Sequence, residues 1–165
     1  MLDGTVHPYT ASLLRQFTAD ADDGSSRLDR ERRFMGSVAL LDPIVRAVLA
    51  ELDHELLAHT GTVDGGDVVR LPDQGLQARW TLSWPQGRAA GAPPVAVLAV
   101  FASTARHPEL RGGTVGAWPL NDVSRDDARA ELPTLRAIAA AEIYELVQAS
   151  GDRIIPAASP GRPPR

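Results

Sequence analysis

The stretch Glu51–Gly61, ELDHELLAHTG, brings together the side chains best suited to hold a metal ion. A zinc-binding helix uses His-Glu-x-x-His, because an interval of four places two imidazoles within about 40° of each other around the axis. His54, Glu55 and His59 spell His-Glu-x-x-x-His instead. On a continuous helix an interval of five turns the rings about 140° apart, which is too far for one ion. His54 is then expected in solvent, and His59 near the apolar stripe at the last turn, capping terminal carbonyls. Glu51 and His54 also form the Glu-x-x-His unit of di-iron bundles. That unit needs a second copy, and neither His7, His59 nor His107 has a glutamate three residues earlier. No metal and no cofactor are expected.

A second group lies in the segment Thr104–Asn121, TARHPELRGGTVGAWPLN. His107 could act as a general base, Glu109 as its orienting partner and Arg111 as an anion clamp, with Arg79 or Asp122 as further members. The plainer reading is that Pro108 and Gly112-Gly113 make turns, the polar residues are solvated, and Trp118 fills core. Trp80, Trp84, Phe101 and Trp118 could line a ligand pocket between sheet and helices, although aromatic residues at strand period usually pack inward. Ser12, Ser37 and Thr104 supply hydroxyls without any triad signature. Asp20, Asp22, Gly24, Ser26 and Glu31 fall at calcium-loop spacing, but Ser25 replaces the required glycine and Gly24 has no side-chain oxygen. A solvated linker whose aspartates cap the next helix accounts for them better.

Composition narrows the chemistry. The chain of 165 residues has no cysteine, and all 17 of its basic residues are arginine. Thiolate nucleophiles, iron–sulfur clusters, Schiff bases and a phosphate-loop lysine are therefore excluded. Alanine, glycine, proline and arginine in place of lysine suggest a GC-rich bacterial genome. The formal charge of −4 disfavours nucleic-acid binding; such binding would need Arg27, Arg30, Arg32 and Arg33 aligned with other arginines on one face. The start, MLDGTVHPYT, does not resemble a signal peptide, and no apolar run suits a membrane span. A cytoplasmic protein is the expectation.

The positioning elements follow from periodicity. Apolar spacing predicts a short helix over Tyr9–Phe17, a second over Leu28–Leu41, a restart at Asp42-Pro43, and a third helix to about His59 with Gly61 as its stop. Val68–Leu71 and Leu76–Trp84 read as a hairpin across PDQG. After the Gly/Pro-rich loop PQGRAAGAPP come strands over Val95–Ala102 and Thr114–Leu120. A helix starts at Ser124, and Pro133 kinks it or opens a second one running to Ser150-Gly151. DRIIP suggests a last strand, and 157–165, with Pro160-Gly161-Arg162-Pro163, a disordered tail. The predicted architecture is a single α+β domain over 1–156: helices in 8–60, a three- or four-stranded antiparallel meander in 67–120, and a helix in 124–150.

One strand, VAVLAVFA, is apolar on both faces. Ala96, Leu98, Val100 and Ala102 need cover from the first helices or from another subunit. Ala137, Ala140, Ala141 and Tyr144 form a smooth helix face. Leu98, Val100, Ala137, Ala141 and Tyr144 are accordingly the candidate interface. The expectation is a non-catalytic binding or assembly protein, self-associating, that recognises a protein partner or a small apolar ligand. The alternative is a cofactor-independent isomerase, lyase or hydrolase using His107, Glu109 and Arg111.

Overall fold

In the computed structural model, residues 8–21 and 24–158 are described. Helix α1 (Pro8–Ala21) precedes a long helix α2 (Arg27–Leu56). Five strands follow: β1 (Thr62–Arg70), β2 (Leu76–Ser83), β3 (Val95–Phe101), β4 (Glu109–Gly112) and β5 (Ala117–Pro119), with α3 (Pro85–Ala89) between β2 and β3. The chain closes with α4 (Arg125–Ala130), α5 (Leu132–Ser150) and two 3₁₀ turns, Asp152–Ile154 and Pro156–Ala158. The strands form one antiparallel meander in the order β1-β2-β3-β4-β5. The α+β class and the antiparallel sheet therefore stand, and the strand count is corrected to five.

The extra strand and the longer β1 come from residues that read as turns. The first strand, expected over Val68–Leu71, begins already at Thr62, and Gly65 and Gly66 form a bulge inside β1, where the register to β2 shifts between Gly65 and Val68. Gly65 has φ +94°, and a Cβ there would collide with the Arg79 carbonyl, so this residue cannot carry a side chain. The added strand is β4, while β5 falls within the strand expected over Thr114–Leu120, and Leu110 is paired to both Ala99 and Trp118.

The break expected at Asp42-Pro43 is absent, and α2 runs through Pro43. Proline removes one helix hydrogen bond, but buried residues on both sides of it, Phe34, Val38 and Leu41 before and Val45, Val48 and Leu49 after, join one core. Packing over some 45 Å of helix outweighs the local cost. The helix begins with a capping box: Ser26 Oγ accepts from Asp29 N at 3.2 Å, and Asp29 Oδ2 accepts from Ser26 N at 3.2 Å. The cap is thus a serine and not one of the aspartates before it. At the other end α2 stops at Leu56, and Ala58 and His59 are left-handed, with φ 53° and 60°. Gly61 is therefore not the stop.

Pro133 opens a second helix, α5, directly after α4, whose N-cap Ser124 accepts from Asp127 N at 3.1 Å. The Gly/Pro-rich loop contains α3. DRIIP holds a 3₁₀ turn and not a strand: the consecutive Ile154 and Ile155 both enter the core, and Trp84 Nε1 donates to Ile154 O at 2.6 Å. Within 157–165 only Ala157 and Ala158 are described, so the Pro-x-x-P element lies outside the described residues.

Both long helices cover one face of the sheet. Trp80 Nε1 donates to Asp42 of α2 at 2.8 Å, and Phe34 of α2 meets the Phe101 ring at 5.9 Å. On α5, Glu142 Oε1 accepts from Thr114 N, Thr114 Oγ1 and Val115 N at 2.7, 2.8 and 3.0 Å. The opposite face carries Gln77, Arg79, Thr81, Glu109 and Arg111 around Ala96, Leu98 and Val100. Leu98 sits between Arg79 and Arg111 in register and is only 7% exposed. Ala96 and Leu98 are thus buried within the single chain, while Val100 is half-buried.

Candidate functional site

Besides its core stripe, α2 carries a second row at helical spacing, Gly36, Leu40, Pro43, Ile44 and Ala47. The small residues in this row leave room. An open groove of about 930 Å³ runs along it, lined also by Asp122, Val123, Arg125 and Arg129. Leu40, Ile44 and Leu132 form its floor and rest on the core. Glu51, at one end, is held by Arg136 of α5 through two hydrogen bonds of 2.8 and 2.9 Å.

A smaller cavity of about 410 Å³ adjoins the groove, and Arg33, Ser37 and Val123 line both. The loop between them is pinned where Ser37 Oγ donates to Asp122 O at 2.5 Å. This cavity is bounded by α1, α2 and the loops around 106–108 and 120–123. Among the described residues its lining includes Arg15, Arg30, Arg33, Arg106 and His107 and no carboxylate, and Arg33 donates to Ser25 Oγ. Arg30 Nε and Gln16 Oε1 are buried without a hydrogen-bond partner.

Behind the shared wall lies a carboxylate cluster. Arg15 of α1 approaches Asp122, Asp127 and Glu131 at 3.7, 3.8 and 3.7 Å. Asp122 is buried, and neither of its carboxylate oxygens has a hydrogen-bond partner. Burial first, then the Glu131 charge, push the Asp122 carboxyl up to about 7 against the pull of Arg15. Burial likewise raises Glu131, with Arg15 opposing. Asp122 and Glu131 are buried and Asp127 is half-buried, and through Arg15 the three tie α1 to the segment that leads into α4 and α5.

The residues singled out in the sequence scatter. His107 lines the smaller cavity, but Glu109 and Arg111 do not. They flank the buried Leu110 in β4 and so point from the other sheet face, as Arg79 does. The His107, Glu109 and Arg111 group is therefore not assembled, because strand alternation sends two of its members away. Trp80, Trp84 and Phe101 are core residues, and Trp118 is half-buried against them. None of the four lines the groove or the smaller cavity. Val100 is half-buried on the helix-free face; on α5, Ala137 is exposed, Ala141 half-buried and Tyr144 60% exposed.

The histidine geometry needs correcting. The 140° separation assumed a helix continuing to His59, but the chain turns back after Leu56. His54 Nδ1 and His59 Nε2 are 2.6 Å apart, and the ring centroids 4.5 Å. The rings share a hydrogen bond, Glu51 is taken by Arg136, and Asp53 Oδ1 accepts from Gly61 N at 2.7 Å. Among the described residues no three metal-binding side chains gather. At the calcium-like segment, Glu31 is held by Arg70 at 2.8 Å and Arg27 at 3.3 Å, while the Asp20 and Asp22 side chains lie outside the described residues. Arg27 stacks 3.7 Å over Phe101, and Arg32 pairs with Asp29 at 3.6 Å. The arginine cluster of α2 is thus divided, and only Arg30 and Arg33 reach the smaller cavity.

Compared with known proteins, the chain matches no family, no curated protein and no solved structure.

Sequence reasoning missed the groove and the arginine-lined cavity. The groove had a signal, a second helical projection of α2 through Gly36, Leu40, Pro43, Ile44 and Ala47. The cavity had none, since Arg15, Arg30 and Arg106 come from three distant segments.

Proposed function

We propose that this protein is a non-catalytic binding protein that seats a small apolar molecule in the groove beside α2. The observation that carries this reading is the groove itself, about 930 Å³ with an apolar floor laid on the core. Sites for small organic ligands have this size and lining. The dispersal of His107, Glu109 and Arg111 favours binding over catalysis. A second reading, assembly through α5, is favoured by Tyr144, which is 60% exposed beside Ala137, Ala140 and Ala141.

Ala47 is exposed on the groove wall, so a larger side chain there fills the groove without entering the core. Nile red, an uncharged apolar dye, is expected to bind the native protein, and Ala47→Trp to weaken it about tenfold or more, the loss of roughly 1.4 kcal/mol. Equal dye affinity in the two proteins, at equal thermal stability, would remove the groove as the site.

A further inference from the structure

The histidines that follow one another around the end of α2 carry a chemistry the groove does not use. We propose that His54 Nδ1 and His59 Nε2 together bind one divalent transition-metal ion, copper(II) most tightly, with water filling its remaining positions. The site is independent of the groove and of what the groove holds.

The first argument is the backbone. A chain that turns back at the end of a helix ordinarily does so on glycine or asparagine, which accept a left-handed conformation at little cost. Here Ala58 and His59 make the turn, at φ 53° and 60°. Its surroundings fix it: Leu57 is fully buried, and the Leu57 and His59 amides both donate to Asp53 O, at 3.0 and 3.3 Å. Thr60 Oγ1 donates to Leu57 O at 2.7 Å, and Gly61 N to Asp53 Oδ1 at 2.7 Å. A costly conformation kept by such support points to a task for the side chain it carries. What this turn achieves is to bring the His59 ring back to His54.

The second argument is geometry. The two ring nitrogens face each other at 2.6 Å, with ring centroids 4.5 Å apart. Imidazole nitrogens sit about 2.0–2.1 Å from a bound ion, so two of them stand about 2.9 Å apart in a square-planar site and about 3.4 Å apart in a tetrahedral one. The observed spacing lies nearer the first, the geometry of copper(II) and nickel(II), and copper(II) heads the divalent series in affinity for nitrogen ligands. Both rings are exposed, so small side-chain rotations open the pair and water reaches the ion. The shared hydrogen is given up when the donating ring shifts to its other tautomer. The third argument is charge. The pair lies at the C-terminal end of α2, where the helix dipole favours a cation, and Asp53 and Glu55 flank His54 in the sequence. Among the described residues no third metal-binding side chain joins the two, so the site is a two-imidazole chelate.

Calorimetry of the full chain with copper(II), in the presence of glycine as a weak competing chelator, tests this. The native protein is expected to bind copper(II), and His54→Gln and His59→Asn each to weaken that binding at least about tenfold, because the second imidazole acts as an intramolecular ligand. Asparagine accepts the left-handed conformation, so His59→Asn removes the ring and leaves the turn. Electron paramagnetic resonance of the loaded protein should show two imidazole nitrogens in the native chain and one in each variant. Both variants should bind Nile red as the native protein does. Equal copper(II) affinity in the native protein and the variants, or a single nitrogen in the native spectrum, would mean an adventitious ion only and overturn the site. The native spectrum decides without any variant, so a variant that fails to fold does not shelter the proposal.

Discussion

Asp122 is the residue whose surroundings depart furthest from its own chemistry. Its carboxyl is buried without a hydrogen bond, beside Glu131, and is pushed up to about 7. The unfolded chain releases this proton near 3.8, so between 3.8 and about 7 the folded protein holds a proton that the unfolded chain does not. Stability from this group is therefore complete below 3.8, falls as pH rises through that window, and is gone above about 7. The difference is on the order of 4 kcal/mol. Asp122→Asn cannot ionise, so its melting temperature should exceed that of the native protein at pH 8 and vary less between pH 5 and 8. Parallel melting profiles for the two proteins would show that Asp122 is already ionised at no cost.

At the scale of elements, the features that matter are side chains that tie one element to another. Glu142 fastens the turn between β4 and β5 to α5 by accepting two backbone N–H groups and a hydroxyl. Gly112 lies so close that a Cβ there would meet the Glu142 carboxylate. Glu142→Ala leaves the Thr114 and Val115 amides unpaired and is expected to cost about 2–4 kcal/mol in urea unfolding. Glu142→Gln, which keeps an accepting oxygen, should cost clearly less. Equal losses would mean that Glu142 acts through packing alone, and protection of the Thr114 amide from hydrogen exchange reports the same contact locally. Pro43 illustrates the opposite balance, a local breaker overridden because its helix is docked along both halves.

At the scale of the molecule, one sheet face is fully clothed by helices and the other is covered by its own side chains. Leu98, between Arg79 and Arg111 in register, is only 7% exposed within the single chain. On α5, Tyr144 and Ala140 are exposed and Ala141 is half-buried, the surface on which the assembly reading rests. The assembly reading expects a dimer in sedimentation at high micromolar concentration, dispersed by Tyr144→Arg and unaffected by Val100→Arg. A native monomer at that concentration would end it. Among the described residues no helix is long and apolar enough to cross a membrane.

Patterns within one element were legible from the residues alone. The period-two run of β2, the apolar β3, the helix start at Ser124 and an interruption at Pro133, as kink or restart, each follow from local sterics and hydrogen bonding, which act over a few residues. The α+β class follows from their order. Where elements end and what they face depended on partners distant in the chain. Pro43 stays helical because the sheet holds α2 on both sides, and Gly65-Gly66 becomes a bulge because β2 continues beside it. His54 and His59 meet because the chain leaves the helix early. Strand alternation parts His107 from Glu109 and Arg111, while folding gathers Arg15, Arg30, Arg33 and Arg106 at one cavity. Local preferences are worth tenths of a kcal/mol to about one per residue, whereas burying one large apolar side chain is worth roughly 1.5–3 kcal/mol. Where the two compete, the tertiary structure decides.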